Sequence, residues 1–177
     1  IDARFLLNRE QIDEAKVPVL FIELPSGKNG TLTPYPGQGI GQTWLSADGA
    51  TITLDRGIVK ATRGMGDDIM GSSSNMPKWS KIDQNFTTYK RKVSFLNGNN
   101  KISKRTYNCN VRKSNKKEFI KIWEVGFLVT KFAELCDHNG FEIKNFYYLD
   151  NRDIVRKSSQ YHSDTLGYIS TQRLDRL

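Results

Sequence analysis

The sequence predicts an all-β protein, an antiparallel meander closed into a β-barrel or folded into a sandwich, with one short N-terminal helix. Three observations carry that expectation. Apolar and polar residues alternate with a period of two along most of the chain, the rhythm of strands half buried in a sheet. Glycine, asparagine, aspartate and proline interrupt the rhythm about every 8–14 residues, so the connections are short. Only one stretch carries the signals of a helix. Closing such a sheet leaves few strand edges exposed.

That helix is residues 8–15. Asn8 is a good N-cap, Gln11 stands three residues on as in a capping box, and Pro18 stops the helix soon afterwards. Residues 19–24 then form an apolar β run closed by Pro25-Ser26-Gly27, and 31–35 a second closed by Pro36-Gly37 and further glycine. Residues 42–45 meet 50–54 across Ala47-Asp48-Gly49, and Asp55-Arg56-Gly57 turns into 58–62. Aspartate and glycine between alternating runs are hairpin signals, so 44–62 reads as a three-stranded meander. Residues 71–81 are the most loop-like segment, rich in serine and glycine with Pro77. Strand 86–96 turns at Asn97-Gly98-Asn99-Asn100 into 101–112, and Ser114-Asn115 reads as the turn into 118–123. Strands 127–135, 141–149, 154–159 and 166–174 complete the sheet.

At 177 residues the chain suits a single all-β domain, 1–177, with a subdivision of the sheet near 71–81. Hydrophobic content of 37% and charged content of 26% describe a folded globular chain rather than a disordered one. No apolar run approaches the ~20 residues of a membrane-spanning helix. The chain opens at Ile1 rather than methionine, as expected if a signal or pro-segment precedes it. The net charge of +8 favours anionic partners: nucleic acid, acidic polysaccharide or a negatively charged membrane surface. A solvated basic surface is the favoured account of it, ahead of a dedicated anion site.

The most informative stretch is Arg63-Gly64-Met65-Gly66-Asp67-Asp68, at the end of strand 58–62. Two glycines bracketing one residue make a sharp turn, and Arg63 is expected to reach back to Asp67 or Asp68 and pin it. Paired carboxylates also serve acid–base chemistry or metal binding. Adjacent side chains on extended backbone point to opposite sides, however, so turn formation is the favoured role. The glycines lack the lysine and following helix of a phosphate-binding loop, and no cofactor motif occurs elsewhere.

Trp44, Trp79 and Trp123, with Tyr147 and Tyr148, raise the prospect of sugar stacking. Trp44 and Trp123 sit on strands and are expected in the core. Trp79, in the loop, is expected to be exposed. Arg63, Asp67, Asp68, Trp44 and Trp79 are therefore the candidate binding residues. Lys101, Lys104, Arg105, Arg112, Lys113, Lys116, Lys117 and Lys121 make the middle of the chain basic. Tyr107 and Phe119 are too sparse among them for a base-stacking platform, so no nucleic-acid partner is expected, and lysines guarding a solvated sheet edge explain the pattern. His138 and His162 have no nucleophile motif nearby. Cys109 and Cys136 show no metal or redox spacing and are either two buried thiols or one disulfide.

Two segments resemble the YjbF/GfcB-type lipoproteins of exopolysaccharide and group 4 capsule operons. One is Thr43-Trp44, Asp48-Gly49 and the run from Gly57 to Met70, similar to that family's tryptophan strand, Asp-Gly turn and "ATRGxGDDxM" loop. The other is Arg105-Thr106-Tyr107-Asn108-Cys109, then Glu118-Phe119-Ile120-Lys121-Ile122, then Glu134-Leu135-Cys136. The opening Leu7-Asn8-Arg9-Glu10-Gln11-Ile12 and Val17-Pro18 also fit. Where the family carries a basic segment before its second cysteine, this chain has Trp123-Glu124-Val125-Gly126-Phe127.

The resemblance implies a barrel-like fold and a Cys109–Cys136 disulfide, since the family resides outside the cytosol. It implies a non-catalytic periplasmic lipoprotein, held at the outer membrane by an N-terminal lipid anchor not present in this chain. Such a protein assists export or assembly of extracellular or capsular polysaccharide. Its expected partners are polysaccharide-secretion proteins or an acidic polysaccharide, with no cofactor. The alternative is a glycan-processing enzyme using Asp67 or Asp68 with a second carboxylate, Glu118 or Glu134, across a deep cleft.

Overall fold

The computed structural model describes residues 2–37 and 43–177. Among these residues twelve strands form one antiparallel sheet: β1 (Leu20–Glu23), β2 (Asn29–Pro34), β3 (Thr43–Ser46), β4 (Thr51–Asp55), β5 (Ile58–Arg63), β6 (Ile69–Ser74), β7 (Thr87–Leu96), β8 (Ile102–Ile122), β9 (Val125–His138), β10 (Phe141–Leu149), β11 (Val155–Ser163) and β12 (Gly167–Arg173). Nearly every strand pairs with its neighbours in sequence. The exception joins the ends of the chain, β1 lying against β12, with Phe21 opposite Gln172. That one long-range pairing rolls the meander into a nearly closed barrel, whose seam falls between β5 and β6.

The single α-helix among the described residues, α1 (Arg9–Ala15), is capped as its sequence dictates. Asn8 Oδ1 accepts from the Gln11 N–H at 2.9 Å, and Gln11 Oε1 accepts from the Asn8 N–H at 2.9 Å. Short 3-10 turns occupy Ala3–Phe5 and Trp79–Lys81.

Most expected strands appear within a few residues of their expected ends. Gln42, read as the start of the third, lies outside the described residues. Two expectations are corrected. Residues 71–74 are not loop but the body of β6, paired from Ser72 opposite Val93 to Ser74 opposite Arg91. A ladder supplied by a neighbour overrides the weak strand preference of glycine and serine. Ser114-Asn115 is not a turn either. It is a bulge inside the 21-residue β8, where the register against β9 shifts between Lys113 and Lys117.

Alternation fills the barrel. Tyr89, Arg91, Val93 and Phe95 of β7 point inward, as do Tyr107, Cys109 and Val111 of β8 and Phe132, Glu134 and Cys136 of β9. The interior is partly polar, and a cluster around Glu134 pairs most of its polar groups, although Arg91 Nε and Trp44 Nε1 have no hydrogen-bond partner among the described residues. Glu134 accepts from Arg91 Nη2 at 2.5 Å, Asn145 Nδ2 at 2.7 Å and Tyr147 Oη at 3.0 Å. Burial raises its carboxyl to about 7, with the Asn145 and Tyr147 hydrogen bonds pulling the other way. The Arg91 charge beside it also favours the carboxylate.

A second, smaller core lies outside the barrel wall. Ile12 of α1, with Ala3, Val19, Phe21 and Leu174, packs under Ile122 where β8 and β9 run beyond β7. Trp123 stacks edge-on against Phe21, centroids 5.4 Å apart. Among the described residues no helix is long and apolar enough to cross a membrane.

Candidate functional site

The loop from Arg63 to Asp68 occupies the barrel seam. No backbone ladder joins β5 to β6, so side chains do that work. Thr62 Oγ1, at the end of β5, accepts from the Ile69 N–H of β6 at 3.0 Å. Arg63 Nη1 donates to the Thr62 and Ile69 carbonyls at 2.5 and 3.0 Å, and Nη2 to the Met70 carbonyl at 3.4 Å. The sequence pointed instead to an ion pair with Asp67 or Asp68. Because the sheet ends here, free carbonyls outcompete the carboxylates for the guanidinium.

Both carboxylates have other partners. Asp68 accepts from the Gly64 N–H at 2.8 Å, the Met65 N–H at 3.1 Å and Thr62 Oγ1 at 3.0 Å, which defines the turn. Asp67 accepts from the Thr165 hydroxyl, tying the loop to the β11–β12 connection. Gly64 and Gly66 take φ of 79° and 89°, where a side chain is strained.

Behind the loop Thr62 also meets His162 Nε2 at 2.9 Å, and both residues are buried. A hydroxyl has one proton and two lone pairs. Thr62 gives its proton to Asp68, so it accepts from both Ile69 and His162, and the imidazole carries its proton on Nε2. Nδ1 accepts from Ser163 Oγ at 3.1 Å. Burial holds the His162 pKa below its usual value, with the Asp68 and Asp67 charges pulling it back up. The trio of hydroxyl, imidazole and carboxylate has the composition of a hydrolytic site. It is wired differently: the hydroxyl proton points at the carboxylate, away from the base.

The other expected residues fall apart spatially. Trp44 is buried, its ring 5.1 Å from the Arg173 guanidinium. Trp79, expected to be exposed, is corrected to core. Its ring lies between Phe132 and Tyr147 at 5.0 and 5.1 Å, and its Nε1 donates to the Arg56 carbonyl at 2.9 Å. Neither presents a ring face outward. Cys109 and Cys136 form a disulfide directly across the β8–β9 ladder, beside Glu134 in the interior. Glu118, the other partner considered for Asp67 or Asp68, stands exposed on β8.

Three of the basic residues of β8 take two different roles. Arg105 is engaged by Asp164, and Arg105 and Tyr161 hold the Asp164 carboxyl down to about 2. At the bulge, Arg112 and Lys113 join Lys131 of β9 around a cleft of about 530 Å3, with Gln84, Ser114, Asn115, Ala133 and Phe146. Nothing local in the sequence marks Gln84, Lys131 or Phe146 as its lining. They come from three other segments, brought together by the register.

The family described as group 4 capsule polysaccharide lipoprotein GfcB, YjbF, matches residues 2–174. Among solved structures, the crystal structure of the hypothetical lipoprotein YmcC from Escherichia coli K12 is similar, with a TM-score of 0.83 over 97% of this chain and 90% of that one. The two are 17% identical, so the likeness is one of fold. No curated protein matches the sequence.

Proposed function

This chain belongs to the YjbF family of group 4 capsule polysaccharide lipoproteins, and on that footing we propose that it is a non-catalytic envelope protein assisting export or assembly of an extracellular or capsular polysaccharide. It works in the periplasm, lipid-anchored to the outer membrane. The observation that supports this reading is the wiring of the 63–68 loop. Its arginine and both aspartates bond to the protein itself, so the most distinctive motif of the chain closes a barrel instead of presenting reactive groups. The cations at the β8 bulge, in contrast, face outward.

The test is genetic. Deleting the gene is expected to abolish surface polysaccharide while precursor accumulates inside the cell, and the full-length gene restores it. Restoration is lost when the lipid-accepting cysteine expected upstream of Ile1 is replaced. Undiminished surface polysaccharide in the deletion strain overturns the reading.

A further inference from the structure

We propose that the cleft over the β8 bulge binds a segment of acidic glycan, sugar residues bearing carboxylate groups. The proposal rests on the polysaccharide reading above and names a place and a ligand class for it.

The cleft is built by the fold. Opposite Lys131, β8 inserts extra residues between Lys113 and Lys117, and these rise as one wall. The other wall is the segment before β7, held against the bulge by the Lys113 N–H donating to the Asp83 carbonyl at 2.7 Å. The open cleft, with a volume of about 530 Å3, falls in the range of small-ligand sites and suits a short run of sugar rings.

Its chemistry is one-signed. Arg112, Lys113 and Lys131 line it, no carboxylate does, and none of the three forms a salt bridge among the described residues. Cations gathered around one cleft repel one another, and a bound anion relieves the repulsion. Gln84, Ser114 and Asn115 add neutral donors and acceptors suited to hydroxyl groups. Phe146 supplies an apolar face, with Lys131 Nζ 4.3 Å from its ring centroid. Arg112 also lies over Phe86, 5.0 Å from its centroid, and that ring is 61% exposed. Sugars carry apolar ring faces, many hydroxyls and, when acidic, a carboxylate, and the cleft meets all three. A flat membrane surface uses none of the recessed donors, and a nucleic-acid strand needs successive stacking rings.

The experiment is calorimetric titration of the disulfide-intact protein with hexagalacturonate at physiological salt. Maltohexaose and phosphatidylglycerol vesicles serve as comparison ligands. Hexagalacturonate is expected to bind and the other two to bind at least tenfold more weakly. Arg112→Gln with Lys131→Gln weakens it at least tenfold, the value of one lost charge-assisted hydrogen bond. Lys104→Gln at the start of β8 with Lys101→Gln just before it, both outside the cleft lining, leaves it unchanged. Both pairs are at or near the surface, and matching melting curves confirm folding. Equal loss in both double variants, no binding of hexagalacturonate, or tighter binding of vesicles each overturns the assignment. In cells, export that survives Arg112→Gln with Lys131→Gln but fails on gene deletion removes the cleft while leaving the polysaccharide role standing.

Discussion

Thr62 Oγ1 and His162 Nε2 lie 2.9 Å apart although 100 residues separate them in the chain. One belongs to the strand at the open edge of the sheet, the other to β11, so the contact fastens the seam from within. Thr62 simultaneously takes the Ile69 N–H and gives its proton to Asp68. A single buried hydroxyl thus serves three partners from β6, the loop and β11.

Removing that hydroxyl strands all three. Thr62→Val, nearly the same shape, is expected to cost about 2–4 kcal/mol, and Thr62→Ser less than about 1.5. Urea denaturation of the three proteins measures the difference. Equal stability of threonine and valine at this position removes the seam role.

His162 also makes stability depend on pH. Its folded pKa is held below the usual 6.5 by burial, so between the two values the unfolded chain binds more protons. The contribution is complete above about pH 6.5 and is lost as pH falls towards the folded value, with a limiting slope of about 1.4 kcal/mol per pH unit. His162→Gln retains a donor towards Thr62 and is expected to flatten this slope between pH 7 and 5.5. An unchanged profile in the variant assigns the dependence elsewhere.

The Arg91–Glu134 pair, 2.5 Å apart in the barrel interior, gives a non-additive pattern. Arg91→Met or Glu134→Gln alone leaves a partner buried without its counterpart and costs about 3–5 kcal/mol. The double variant is expected to lose less than the sum of the two, and a thermodynamic cycle measures the coupling.

Cys109 and Cys136 enclose a loop with a sequence separation of 27. By the chain-entropy estimate, the Cys109→Ser, Cys136→Ser variant loses about 3–4 kcal/mol, and reductant has no effect on what remains. A variant as stable as the oxidised parent shows the bridge to be dispensable.

The two-residue turn between β8 and β9 holds Trp123 and Glu124 at φ of 42° and 72°, where glycine or asparagine is usual. Trp123 gains its place by packing on Phe21, but Glu124 is exposed. Glu124→Gly is expected to stabilise by about 1 kcal/mol, raising the melting temperature by about 2–4 °C. A fall in melting temperature contradicts that account of the turn.

The alternating runs, their turn residues and the Asn8 capping box were readable in the chain because each depends on neighbours one to four residues away. Strand identity, the helix and the sharp turn at Gly64 and Gly66 are of that kind. The resemblance carried by that turn also pointed to the family and to the disulfide. What the chain alone left undetermined depends on partners far away. Residues 71–74 become a strand because β7 offers a ladder, and Ser114-Asn115 becomes a bulge because β9 continues on both sides of it. Arg63 turns to free carbonyls because the sheet ends beside it, and Trp79 is drawn inward by Phe132 and Tyr147. The cation-lined cleft has the same origin. A period of two tells which residues share a face, but the partner across that face is chosen by how the whole sheet closes.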